Sequence, residues 1–224
     1  MKATLIYTIT SSDRFNVFHY CMFHGEVSRP GIIFPMDPSH KLGSELSQPL
    51  LLRCNAHRMP DVFYPHSKNL IVSELVRTAL ADLPNIVFLP VIFEKLVDYP
   101  YAVGDFSYYD RPAFQKNPRR EDPEKLIDRL PDVPALHGKI GTYYEMVVAW
   151  VTDIAGQYSD TKSAEFTVNK LGDDEIVQLR LSEPLLRDYP VAWGDEGVLF
   201  SERSFSRIEK FVDWNFFRKA EAIV

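Results

Sequence analysis

Asn69-Leu70-Ile71-Val72-Ser73-Glu74-Leu75 is the stretch whose reading decides the fold. It returns near the end of the chain as Gly197-Val198-Leu199-Phe200-Ser201-Glu202-Arg203, with Ser73 and Ser201 128 positions apart. Each copy is an apolar run of strand length, then Ser-Glu, then a helical pattern. A serine closing an apolar run can place its hydroxyl on the free N–H groups of the first helical turn. Glu74 and Glu202 then fall where the helix dipole favours negative charge. Behind Ser73 the apolar stripe is Leu75, Val76, Ala79, Leu80 and Leu83; behind Ser201 it is Phe205, Ile208, Phe211 and Val212. These spacings predict amphipathic helices. Pro84 and Asp213 mark their stops, and Ile86-Val87-Phe88-Leu89 and Trp214-Asn215-Phe216-Phe217 follow as strand-length runs. At the same offset Leu80 meets Ile208 and Leu89 meets Phe217. The unit is therefore read as strand, Ser-capped helix, strand, used twice. Neither serine has the flanking glycines of a nucleophile elbow, so Ser73 and Ser201 are read as helix caps.

Working outward, the first 35 residues read as β structure, with strands at Lys2 to Ile9, Phe15 to Phe23 and Gly31 to Phe34. Residues 36–47, which include His40, read as loop by composition. Pro49-Leu50-Leu51-Leu52-Arg53-Cys54 is another strand, and Pro60 to Pro65 is turn-rich. Val91 to Val97 is a strand expected to pair with Tyr101-Ala102-Val103. Five prolines punctuate residues 104–141, with one short helix expected at Asp122 to Leu130. Tyr143 to Ile154 reads as one long buried strand with Glu145 and Asp153 at its ends. Ala164 to Leu181, turning at Gly172-Asp173-Asp174, reads as a hairpin with one wet face. The expected class is α+β with mixed or antiparallel sheets. The expected organisation is a β-rich half over 1–110, a Pro-rich join over 111–141 and a second half over 142–224, with one continuous domain as the alternative.

The 224 residues, 46% hydrophobic, suffice for a sizeable core. A net charge of −6 and a pI near 5.5 argue against nucleic-acid binding and suit a soluble protein with a basic partner. No run approaches the roughly 20 apolar residues that span a bilayer. Two cysteines and no secretory leader point to the cytoplasm. Phosphate loops, dinucleotide fingerprints and the His-Glu-x-x-His zinc motif are all missing from the sequence.

The densest group of metal-ligand residue types is His19, Cys21, His24, Cys54 and His57. Mixed His and Cys ligands suit zinc, and a Cys-His pair could make a thiolate nucleophile. Their spacing matches no zinc signature, and buried cysteines behave mostly as small hydrophobes. The carboxylates, Glu145 and Asp153 among them, fall in no motif that fixes a pair, and most read as turn or solvated surface residues. Asp173-Asp174-Glu175 and Asp195-Glu196 could instead face a basic partner.

The Ser-Glu units resemble the immunity proteins of bacterial polymorphic-toxin systems, in particular the eleventh catalogued immunity family. The residues that carry this are Leu70-Ile71-Val72-Ser73-Glu74-Leu75 with Ile86-Val87-Phe88-Leu89-Pro90-Val91, and Leu199-Phe200-Ser201-Glu202-Arg203 with Phe211 to Phe217. The resemblance implies a cytoplasmic protein that binds and neutralises a cognate toxin, with no catalytic residues and no cofactor. Aromatic anchors among acidic residues would suit such binding. The candidates are Tyr99, Tyr101, Phe106, Tyr108 and Tyr109, set among Asp98, Asp105 and Asp110. Core and turn packing is the competing role for these aromatics. The alternative function is a hydrolase using the Cys/His set, with or without zinc.

Overall fold

The structure, a computed structural model, describes residues 3–8, 40–43, 49–56, 59–63, 69–98, 129–158, 181–194, 197–213 and 217–222. The fold is α+β. Its strands are β1 (Ala3–Thr8), β2 (Leu51–Asn55), β3 (Val62–Phe63), β4 (Leu70–Ser73), β5 (Ile86–Pro90), β6 (Ile92–Val97), β7 (Tyr143–Trp150), β8 (Val191–Trp193), β9 (Val198–Ser201) and β10 (Phe217–Ala222). Its helices are α1 (Glu74–Leu80), α2 (Pro134–His137), α3 (Val151–Ile154), α4 (Glu183–Asp188) and α5 (Glu202–Ile208).

Both Ser-Glu units form a strand, a helix and a closing strand, but the serine cap read for both is made only at Ser201. Three apolar residues and a closing serine, all buried, make β4 and likewise β9, and the serine precedes a helix in each. The capping differs between them. Ser201 Oγ accepts from Ser204 N at 3.3 Å. Ser73 makes no such bond, and its hydroxyl is buried without a hydrogen-bond partner among the described residues. Val76 stands where the second unit has Ser204. A third Ser-Glu start, Ser182-Glu183 before α4, is also capped, with Ser182 Oγ accepting from Leu185 N at 3.3 Å.

Eight strands form one mixed sheet in the order β10-β1-β9-β8-β7-β4-β3, with β5 on the other edge of β7. The closing strand of each unit does not lie beside its opening strand. Tyr144, Glu145 and Met146 of β7 pair at once with Val72, Ile71 and Leu70 of β4 and with Pro90, Leu89 and Phe88 of β5. Leu5 of β1 likewise pairs with Leu199 of β9 and with Ala220 of β10. Each strand–helix–strand unit therefore brackets a third, antiparallel strand.

The helices α1 and α5 share one face of the sheet. They pack Val76, Leu80, Phe205 and Ile208 against Val72, Met146, Val148 and Phe200. Fully burying a side chain such as Leu80 contributes about 1.5–3 kcal/mol. Two clusters cover the opposite face. At one end the parallel pair β2–β6 brings Leu52, Cys54 and Leu96 onto Ile71 and Tyr143. At the other, α3 and α4 bring Ile154, Leu185 and Leu186 onto Ala149, Ala192 and Leu199.

Several expectations are corrected. The long strand expected over 143–154 ends at Trp150, and α3 follows. Val151 and Ile154, three apart, then enter one cluster, which only a helical turn allows. Glu145 is not at a strand end but within β7, fully buried. Leu75 is 60% exposed, so the apolar stripe of α1 is narrower than read. Val62–Phe63, within the turn-rich stretch, pairs with β4. The partner of β6 in the described structure is β2; Tyr101-Ala102-Val103 lies outside the described residues, as do the strands expected at 15–23 and 31–34, the body of the helix expected at 122–130 and the hairpin body at 164–180. Leu89 corresponds by register to Ala220 and not to Phe217, because the second unit takes three more residues between helix and closing strand.

Candidate functional site

The densest buried polar group among the side-chain contacts described is centred on the sheet face opposite α1 and α5 and reaches Trp193 of the α1–α5 cluster. Its centre is Glu145, which has no solvent exposure. A carboxylate in such a place must be paired or hydrogen-bonded. One oxygen accepts from Asn69 Nδ2 at 2.6 Å, and the other is hydrogen-bonded to His40 Nδ1. Asn69 Nδ2 also donates to the His40 carbonyl at 3.0 Å, and Asn69 Oδ1 accepts from Trp193 Nε1 at 3.1 Å.

Each partner is delivered by a different element. Glu145 comes from β7. Asn69 is the residue before β4, on the same sheet face as Ile71. Trp193 ends β8, which meets β7 beyond β4. The Trp193–Asn69 bond thus joins the ends of two strands that follow one another along β7. His40 comes from the 40–43 segment, whose Leu42 packs on the second cluster and whose Lys41 ammonium lies 6.0 Å from the Trp150 ring centroid. Trp150 in turn stacks on Trp193, centroids 6.0 Å apart. Chemically, the network orients an imidazole with a carboxylate, the arrangement a general base requires. Structurally, it ties four segments through one buried acid.

A second group is half-buried. Arg77 Nε donates to Glu74 at 2.6 Å, and its guanidinium lies over the Tyr144 ring at 5.2 Å. Arg77 holds the Glu74 carboxyl down to about 2, and Glu74 in turn raises the Tyr144 hydroxyl. Burial raises the Tyr143 hydroxyl, which donates to the Pro60 carbonyl at 3.2 Å.

The residues singled out from sequence are placed unevenly. Cys54 is fully buried in the β2–β6 cluster, among Leu50, Leu52 and Leu96, where a thiol is a packing group. His19, Cys21, His24 and His57 lie outside the described residues. No group of three His, Cys, Asp or Glu side chains able to hold a metal occurs among the described residues. Asp98 is exposed just after β6. Tyr99, Tyr101, Asp105, Phe106, Tyr108, Tyr109, Asp110, Asp173, Asp174, Glu175, Asp195 and Glu196 lie outside the described residues. Sequence reasoning missed the Glu145 network, since it left His40 in a loop and Glu145 among the surface acids. The signal was there: Glu145 is the one charge within Tyr143–Trp150, a run too apolar for an exposed strand.

No helix of the described residues is long and apolar enough to cross a membrane. No protein-family model matches this sequence, and no curated protein matches it.

Proposed function

We propose that this chain is an immunity protein: it binds a cognate bacterial toxin in a stoichiometric complex, in the cytoplasm, and neutralises it without chemistry of its own. The observation that carries the reading is where the chemically capable side chains go. Both Glu145 oxygens are engaged inside the molecule, and Cys54 is enclosed by apolar side chains. Among the described residues these two groups serve the fold, which supports a reading in which the surface does the work. The net charge of −6 supports the same reading, because an acidic surface steers a basic partner. The sequence likeness of the Ser-Glu units to the eleventh immunity family agrees with it. The binding face we assign begins at the exposed Asp98 and takes in Tyr99, Tyr101, Asp105, Phe106, Tyr108 and Tyr109, with Asp173, Asp174 and Glu175 as a second acidic contribution.

A growth assay tests this. The reading frame beside this one is induced in a bacterial host with and without this chain. Toxicity relieved only by co-expression supports the proposal and supplies the partner. Toxicity that persists, or a harmless neighbour, overturns it. Attention then moves to a hydrolase reading built on the His40–Glu145 pair, tested by hydrolase substrate panels on His40→Ala.

A further inference from the structure

The duplication extends further than the Ser-Glu units. β3 pairs with β4 as β8 pairs with β9: Val62 and Phe63 face Val72 and Ile71, and Val191 and Ala192 face Phe200 and Leu199. The backbone N–H of Ser73 donates to the Asp61 carbonyl as that of Ser201 donates to Pro190, both at 2.8 Å. The bracketed strands correspond as well. Ile71 and Leu89 face Glu145, and their equivalents Leu199 and Ala220 face Leu5. Each half of the chain therefore contains an opening strand (β1 or β7) followed by a strand–strand–helix–strand body. Neither opening strand lies in the body that follows it in sequence. β7 fills the first body, between β4 and β5, and β1 fills the second, between β9 and β10.

We propose that each body is a strand-binding slot, that the two slots are filled reciprocally, and that the Asn69–Glu145–His40 network is the key assigning each strand to its slot. The ligand of the second slot is an extended segment of the chemistry of Ala3–Thr8, antiparallel to both neighbours. A slot open on two sides satisfies the backbone N–H and C=O groups on both edges of the entering strand, so occupancy is strongly favoured over an empty groove. Backbone pairing alone does not say which strand enters, because both are apolar and antiparallel. The side chains do. The position of Glu145 in β7 is Leu5 in β1, and the position of Asn69 before β4 is Gly197 before β9. In its own slot Glu145 meets the Asn69 amide and His40. In the other slot the place of that amide is taken by Gly197, which has no side-chain donor, and a carboxylate is costly to bury without one. Conversely, β1 in the first slot would take away the carboxylate that the Asn69 amide and His40 share.

The exchange is tested in the full chain by paired cysteines under mild oxidation, with the linked peptides mapped by mass spectrometry. Leu5→Cys with Leu199→Cys links within one chain. Leu5→Cys with Ile71→Cys, the pair an unexchanged arrangement would bring together, does not. The reverse pattern overturns the exchange. Slot and key are tested with the full chain carrying Leu5→Pro, since proline cannot donate to a central ladder. A labelled peptide of residues 1–10 binds this variant one to one and raises its melting temperature, and it does not bind the parent chain. The peptide with Leu5→Met keeps its affinity within a few-fold, whereas the peptide with Leu5→Glu binds about 100-fold more weakly. Should the variant fail to fold alone, recovery of soluble protein on refolding with each peptide is read instead. No binding or recovery with the parent peptide overturns the slot. Equal action of the Leu5→Glu and parent peptides overturns the key.

Discussion

At the scale of single residues, two serines in matching sequence positions have different energetics. Ser201 caps its helix and Ser73 does not. Ser201→Ala should cost about 1 kcal/mol, the usual loss for an N-cap. Ser73→Ala should cost under about 0.5 kcal/mol or stabilise, because it removes a buried hydroxyl that has no partner among the described residues. Urea midpoints of the two variants separate the cases, and equal losses would refute the assignment. Glu145→Leu is a harsher change. It removes the carboxylate that the Asn69 amide and the His40 imidazole share, leaving Asn69 Nδ2 only its bond to the His40 carbonyl, and losing a buried hydrogen-bond partner costs about 1–3 kcal/mol. Glu74 supplies a pH test. Arg77 lowers its carboxyl from the ordinary 4.5 to about 2, so the folded value lies below the unfolded one. Its contribution is complete above pH 4.5 and is lost as pH falls toward 2. Glu74→Gln should flatten the fall of the urea midpoint across that window and leave the slope at neutral pH unchanged.

At the scale of elements, the helices α1 and α5 are held by packing more than by charge. Leu80 is fully buried between them and the sheet, and Leu80→Ala should cost about 2–5 kcal/mol. Arg207 bridges the same helices, reaching the Ala79 carbonyl at 3.2 Å and a two-thirds exposed Asp82 carboxylate. Arg207→Ala should cost less than about 1 kcal/mol, as exposed pairs do. A double-mutant cycle measures both. Sequence pattern reached these elements well, since capping and the 3.6 period are local. It failed at β7 and α3 for a physical reason. Tyr143 to Ile154 is apolar but for Glu145, Thr152 and Asp153, and so continuous an apolar run carries no period from which strand and helix can be told apart. The strand ends at Trp150, the last residue that β8 pairs, which is a property of the neighbours.

At the scale of the whole molecule, the proposed exchange of strands ties the halves together. β1 is central in the second unit and β7 in the first, so neither can lose its guest without losing its sheet. Calorimetry should show one cooperative transition for the chain, with calorimetric and van't Hoff enthalpies equal. Two resolved transitions would contradict the exchange. The acidic surface acts on this scale too. If charge steers the toxin we propose, association should slow as salt is raised, while the dissociation rate changes little.

The sequence by itself determined the local units. Ser-Glu pairs behind apolar runs set helix starts, the stripes set their buried faces, and β-branched runs set most strands, because each depends on residues within one or two turns. It also determined that the unit occurs twice, since a 128-residue offset is visible in the letters alone. Only the tertiary structure decided which strand enters which unit. Leu5 lies nearly 200 positions from Leu199, and no local propensity couples them. For the same reason the Glu145 network stayed hidden. Its members at 40, 69, 145 and 193 have no common spacing, and their joining follows from the sheet order, which brings β4, β7 and β8 edge to edge around one buried acid.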